Sequence, residues 1–141
     1  MVTLDFSAME AKWRDAWYEA RINESEPEPG KKKFFMIFAY PGVTGYMHVG
    51  HMRGYSVTDA IVRYKMMTGH RVLFPVGTHA TGNGAIGFAR KVERGDPATI
   101  EQLKANGCTE ETIRSLSDPM EVVKFFSQVY VNDYWKRFGF M

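Results

Sequence analysis

Two histidines, His48 and His51, stand three residues apart, with Gly50 between them and Gly45 just upstream. Positions three apart are neighbours on one helical face, so this spacing sets two imidazoles side by side on the first turn of a helix. Imidazole N–H groups donate to phosphate oxygens and stabilise negative charge that builds at phosphorus during displacement. A helix N-terminus adds unpaired backbone N–H groups and the positive end of the helix dipole. Glycine at position 50 leaves room for a flat base to lie on the backbone. Inert histidines and metal ligands are the competing readings. A metal site needs three or four donors, and only His70 and His79 remain, in other elements; no metal is expected. A second polar group, Gly77-Thr78-His79-Ala80-Thr81-Gly82-Asn83-Gly84, has side chains suited to a small zwitterion such as an amino acid. Read alone, it is better taken as a plain glycine-rich connection.

Position depends on the elements around these groups. Residues 34–40 read FFMIFAY and end at Pro41-Gly42, the pattern of a strand buried on both faces in a parallel sheet. A helix is expected over 48–68 with an inner face of Met52, Tyr55, Ala60, Ile61, Tyr64 and Met67, and with Gly69 as its stop. RVLF at 71–74 is a second strand ended by Pro75. Strand, turn, helix and strand make a right-handed βαβ unit. It places His48 and His51 at the carboxyl end of the first strand, where open α/β sheets bind ligands. The loop 77–84 follows the second strand and so falls beside the first turn. Residues 7–21 predict a leading helix with a Ser7–Glu10 capping box, followed by a linker over 23–33. Further helices are expected over 85–94, from Asp96-Pro97 to 104 and from Thr109. The last runs from an Asp118 N-cap, with Pro119 at its first position and Glu121 completing a box, to Gly139. Its apolar stripe is Val122, Val123, Phe126, Val129, Tyr130 and Tyr134.

Composition narrows the function classes. The 141 residues carry 18 lysines and arginines against 16 acids, a net charge of +2. This near balance excludes a mainly electrostatic nucleic-acid binder, and Lys31-Lys32-Lys33 reads as a solvated linker. At 45% hydrophobic and 14% aromatic, the chain has material for a core. No apolar run is long enough for a membrane helix. One cysteine, Cys108, excludes an internal disulfide. The expectation is a soluble protein of a reducing compartment, the cytoplasm.

Taken together, MEAKWRDAW, FAYPGVTGYMHVGHMRGYSVTDAIVRYKMMTGHRVLFP, GTHATGNGAIGFARKVERGD and DPMEVVKFFSQVYVNDYWKRFGF resemble the N-terminal part of class I aminoacyl-tRNA synthetases. The likeness is to the leucyl type of archaea and the eukaryotic cytosol, and His79, where related synthetases carry Asp, points the same way. The resemblance implies the first half of a Rossmann-like, HUP-type nucleotide-binding domain: α/β, a short parallel sheet with flanking helices, and incomplete. Residues 1–33 would be a leading helix and linker, and residues 34–141 the N-terminal half of the catalytic domain. His48 and His51 match the histidines that contact ATP phosphates and stabilise the adenylation transition state. Gly45 and Gly50 match glycines of the ATP side, with Gly50 beneath the adenine. Ala39, Tyr40 and Pro41 match the strand end bordering the amino acid, and His79, Thr81 and Gly82 the loop near its amino group. The reaction implied is leucine plus ATP, with Mg2+ carried by ATP, to leucyl-adenylate and pyrophosphate, then transfer to tRNA-Leu.

Three departures qualify the match. Gly42 stands where an aromatic Tyr usually borders the amino acid. Gly84 replaces a usual proline. The second signature, Lys-Met-Ser-Lys-Ser, does not occur in these residues. Rival readings are a small HxGH nucleotidylyltransferase and a non-catalytic nucleotide-binding module. Two apolar strands do not make a stable sheet alone. A fragment or split-enzyme piece is therefore expected, its sheet edge covered by missing sequence, a complementary chain or self-association.

Overall fold

The structure is a computed structural model and describes residues 4–140. Helix α1 (Phe6–Glu19) leads into strand β1 (Lys33–Phe35), helix α2 (Val49–Met67) and strand β2 (Arg71–Leu73). Helices α3 (Asn83–Glu93), α4 (Pro97–Ala105), α5 (Glu110–Ser115) and α6 (Pro119–Val129) follow. A π-helical turn (Tyr130–Trp135) and a last short helix α7 (Lys136–Phe138) complete the order. The described chain is thus mostly helical around a two-stranded parallel sheet, an open, partial Rossmann-like arrangement.

The sheet pairs Lys33 with Arg71, Phe34 with Val72 and Phe35 with Leu73. The expected strand over 34–40 is shorter than its apolar run. Regular pairing ends at Phe35, and a single parallel bridge between Gly42 and His79 resumes it. Nor is the strand buried on both faces. Phe34, Met36 and Phe38 are half-buried, whereas Phe35 is 60% and Ile37 56% exposed. An apolar run records that both faces can be covered; here only one face meets a helical layer.

Helix α2 buries Tyr55 and half-buries Met52 as expected, but the rest of its inner stripe differs. Tyr55, Thr58, Asp59 and Val62 point inward, while Ala60, Ile61 and Tyr64 are exposed and Met67 is 86% exposed. Thr58 and Asp59 are polar, which hid this stripe from a hydrophobicity reading. Both are satisfied in place. Thr58 Oγ1 donates to the Gly54 carbonyl at 2.9 Å. Asp59 accepts from Arg63 Nε at 2.6 Å, and the same guanidinium donates to the Gly139 carbonyl at 2.5 Å. Gly54 lies directly under the Phe38 ring: a Cβ there would stand 2.2 Å from Phe38 Cζ. Helix and strand therefore close on each other at this point because position 54 has no side chain.

Helix α1 starts one residue ahead of the expected cap. Asp5, not Ser7, is the N-cap, accepting from the Ala8 N–H at 3.0 Å. No residue of α1 is buried; it touches α2 where the Arg63 guanidinium lies 5.0 Å from the Trp17 ring centre.

The core sits among the later helices, not on the sheet. Leu103, Val122 and Phe126 are fully enclosed, with Leu116, Val43 and Tyr130 close behind. Phe126 is its centre, edge-on to Phe88, Phe125 and Tyr46 with ring centres 5.0, 5.1 and 5.3 Å away. Asp96, Thr109 and Asp118 cap α4, α5 and α6 by accepting from first-turn N–H groups. Glu121 pairs with Lys124 at 2.7 Å and does not close the expected box. The expected single α-helix up to Gly139 contains the π-turn, and Gly139 does end it, with φ +64°.

Candidate active site at the start of helix α2

His48 is the N-cap of α2, in extended conformation. Its Nδ1 accepts from the Gly50 N–H at 3.1 Å. His51, at the third helical position, returns the bond: its Nδ1 accepts from the His48 N–H at 3.3 Å. This is a capping box made from two imidazoles rather than from Ser and Glu. The rings lie 4.1 Å apart at 44°. Since each Nδ1 acts as acceptor, each neutral ring carries its proton on Nε2. Two N–H donors are thereby left over at the positive end of a 19-residue helix. Position 50 must be small for this arrangement, because a Cβ there would lie 2.9 Å from His48 Cε1.

Burial, and then the neighbouring His48, hold the His51 pKa below its usual value. Folding therefore favours the neutral ring, and the unfolded chain binds the extra proton. Stability is complete above the unfolded value of about 6.5 and is lost as pH falls through that value toward the folded one. Protonation also removes the Nδ1 acceptor of the cap. A ring-proton NMR titration should place the His51 midpoint below that of an unstructured histidine peptide. A midpoint equal to or above the peptide's would remove this account of the cap.

The second polar loop runs alongside. The His79 N–H donates to the Pro41 carbonyl at 2.9 Å, and the Val43 N–H to the His79 carbonyl at 3.4 Å. Residues 41–43, a few positions upstream of His48, are thus tied to the loop carrying His79, Thr81 and Gly82. Pro41 is buried, and the Tyr40 ring lies beside Gly77, where an added Cβ would be 3.4 Å from Tyr40 Cε2. The Ala39 carbonyl faces the Tyr55 hydroxyl at 3.5 Å. His79 and Thr81 are exposed, with Nε2 and Oγ1 3.5 Å apart. Gly82 caps α3 at φ +92°, and Gly45 turns the first loop at φ +145°, conformations that side chains resist. Thr44 fills the space at Gly84: a Cβ there would meet Thr44 Cγ2 at 2.2 Å. Around Gly42 contacts are ordinary, the nearest being Thr44 Cγ2 at 3.7 Å.

Two supporting residues escaped the sequence reading. The Tyr130 hydroxyl shares its one proton between the carbonyls of Gly42 (2.8 Å) and Gly45 (2.5 Å), and the Tyr134 hydroxyl donates to that of Met47 (3.3 Å). Both lie on the apolar stripe of the last helix. Their hydroxyls, which an apolar stripe does not need, were the available signal. Among the described residues, no cluster of three or more His, Cys, Asp or Glu is placed to hold a metal ion. No described helix is long and apolar enough to cross a membrane.

This arrangement matches a known family. The family model described as tRNA synthetases class I (I, L, M and V) matches residues 8–116. The chain belongs to the class I tRNA synthetases. Among synthetases of this class it is 42% identical over 132 residues to the leucine–tRNA ligase of Aeropyrum pernix, covering 94% of this chain. It is 40% identical over 129 residues to that of Pyrococcus abyssi, covering 89% of this chain. The chain spans 14% and 13% of the lengths of these two relatives. Among solved structures, a class I synthetase superposes with a TM-score of 0.58 at 31% identity. It is the ternary complex of Agrobacterium radiobacter K84 agnB2 LeuRS with tRNA and LeuAMS. The match covers 73% of this chain and 14% of that one.

Proposed function

We propose that this chain is the ATP- and amino-acid-binding portion of a leucine–tRNA ligase. In this reading residues 34–141 are the N-terminal half of the class I catalytic domain, with residues 1–33 a leading helix and linker. The observation that carries it is the imidazole cap: two histidines whose Nδ1 atoms accept backbone N–H bonds at a helix N-terminus, after the loop that follows the first parallel strand. His48 and His51 donate to the phosphates of Mg·ATP and to the charge that grows on the α-phosphate as the leucine carboxylate attacks in line. Pyrophosphate leaves, and no covalent enzyme intermediate forms. The gain comes from positioning and from preorganised donors. Gly45 and Gly50 keep side chains out of the nucleotide space. Ala39, Tyr40 and Pro41 border the amino acid, with His79, Thr81 and Gly82 near its ammonium group. Leucyl-adenylate then passes to tRNA-Leu in the cytoplasm. The relatives' names support leucine and tRNA as substrates, and the carboxyl-end position of the cap supports ATP. The exposed Phe35, Ile37 and Leu73 face would be covered by another chain or a second copy.

The test is amino-acid-dependent ATP–pyrophosphate exchange with this chain placed over the matching segment of the Aeropyrum pernix ligase, together with ATP binding by calorimetry. Exchange with leucine supports the reading. Exchange only with another amino acid removes the leucyl assignment, and binding without exchange identifies a non-catalytic module. Transfer of AMP to a phosphorylated small molecule would point instead to a nucleotidylyltransferase.

A further inference from the structure

We propose that Tyr130 and Tyr134 are positioning residues, a two-hydroxyl clamp presented by the π-helical turn, which fix the loop that delivers His48. The functional half of this inference rests on the nucleotide reading of His48 and His51 above.

Three carbonyls of the loop, at Gly42, Gly45 and Met47, accept from these two hydroxyls across sequence separations of 85 to 88 residues. The loop's side chains Val43 and Met47 are buried in the core and Tyr46 packs on Phe126, whereas the tyrosine hydroxyls act on its backbone. Gly45 sits at φ +145°, and among the described residues the backbone bonds of residues 41–47 are those of the His79 N–H to Pro41, of the Val43 N–H to His79 and of the Thr44 N–H to Gly42, none of them beyond Thr44. Without the clamp, the carbonyls of Gly42, Gly45 and Met47 lose these partners, and the backbone that leads into the His48 cap loosens. The same helical run reaches the other polar loop, since Ser127 Oγ lies 3.4 Å from Thr78 Oγ1. One strut therefore meets both loops of the candidate site.

The π-turn has a geometric reason. At about 3.6 residues per turn, residues five apart in an α-helix point away from each other. With i→i+5 bonding they align. Trp135 thus joins Tyr130 on one side, ring centres 6.3 Å apart, and Trp135 meets Tyr55 of α2 at 5.9 Å. Tyr134 stacks edge-on at 6.2 Å from Tyr130, so the two hydroxyls reach the loop from neighbouring positions. Burial keeps the Tyr130 phenol protonated by pushing its pKa up to about 12, so it remains a donor throughout the neutral range.

The experiment compares the chain with its Tyr130→Phe and Tyr134→Phe variants, which keep the rings and remove only the hydroxyls. Amide exchange is followed at Val43 and Thr44 in the loop and at Leu116 in the core, with His48 and His51 ring signals recorded by NMR. The expected result for Tyr130→Phe is about tenfold faster exchange at Val43 and Thr44 with Leu116 unchanged, and displaced imidazole signals. Tyr134→Phe, from a less buried site, gives the same pattern with a smaller factor. Unchanged loop exchange and ring signals in both variants would overturn the clamp. So would equal acceleration of loop and core in both, which marks the tyrosines as general core residues. ATP titration of the unmodified chain is read separately. If ATP does not bind, the nucleotide reading fails, while the exchange data still decide whether the tyrosines hold the loop.

Discussion

Replacing His48 or His51 with Ala should slow leucine-dependent ATP–pyrophosphate exchange by about 10²–10³-fold, the range seen when one preorganised oxyanion donor is removed. The assay places this chain over the matching segment of the Aeropyrum pernix ligase, so that the rest of a catalytic unit is supplied. Alanine has two effects here. It removes an Nε2–H donor, and it removes a helix cap worth about 1 kcal/mol. His48→Asn separates them, because Asn is a good N-cap that can accept from the Gly50 N–H in the imidazole's place. Stability should therefore return in His48→Asn while exchange stays slow. Binding of leucine should change far less than the rate in all variants, since the donors meet charge that develops at phosphorus. Exchange restored together with stability in His48→Asn would show that the imidazoles serve only as caps.

Phe126→Ala should cost about 3–5 kcal/mol in urea unfolding, the range for emptying a large buried aromatic site. Phe126 is 0% exposed. Its ring is edge-on to Phe88, Phe125 and Tyr46, and is tilted against Tyr130 at 6.3 Å. These partners come from α3, α6, the π-turn and the loop before His48. They cannot all collapse into the vacated space, so a cavity remains. A loss of this size is a large share of the 5–15 kcal/mol typical of a folded domain. Phe126→Leu keeps most of the volume and should cost about 1.5 kcal/mol or less. Equal losses for Ala and Leu, or a loss under about 1 kcal/mol for Ala, would show that the core is not centred on this ring. Because Tyr46 and Tyr130 touch it, the alanine variant should also loosen the loop that leads to His48.

The histidine spacing, the glycines at 45, 50 and 82, and the strand–turn–helix order were legible in the residues. Each is local: a cap, a positive φ or a helical start is decided within a few positions of chain. The caps at Asp96, Thr109 and Asp118 and the stop at Gly139 belong to the same class. The family likeness was legible too, since the motifs stand in order at family spacing. What failed was the covered face of the first strand and most of that of helix α2, whereas the stripe of the last helix, with Val122, Phe126 and Tyr130, is buried as expected. FFMIFAY is apolar throughout, yet only one face of its strand packs. Helix α2 buries Thr58 and Asp59 in preference to Tyr64 and Met67. Burial depends on what another element brings to that face, and a buried polar group needs only its own hydrogen bonds to be tolerated.

The local sequence determined that two imidazoles would meet at a helix start beside a glycine-rich loop. The same few residues hold them at the helix start, His48 Nδ1 accepting from the Gly50 N–H and His51 Nδ1 from the His48 N–H. Tertiary structure alone decided how the loop before them is held. A π-turn more than eighty residues downstream grips the carbonyls of the loop before them. A hydroxyl on an apolar stripe is, in sequence, only a tyrosine in a core. Its partner is a backbone carbonyl, an atom that every residue possesses, and so carries no sequence signal at all.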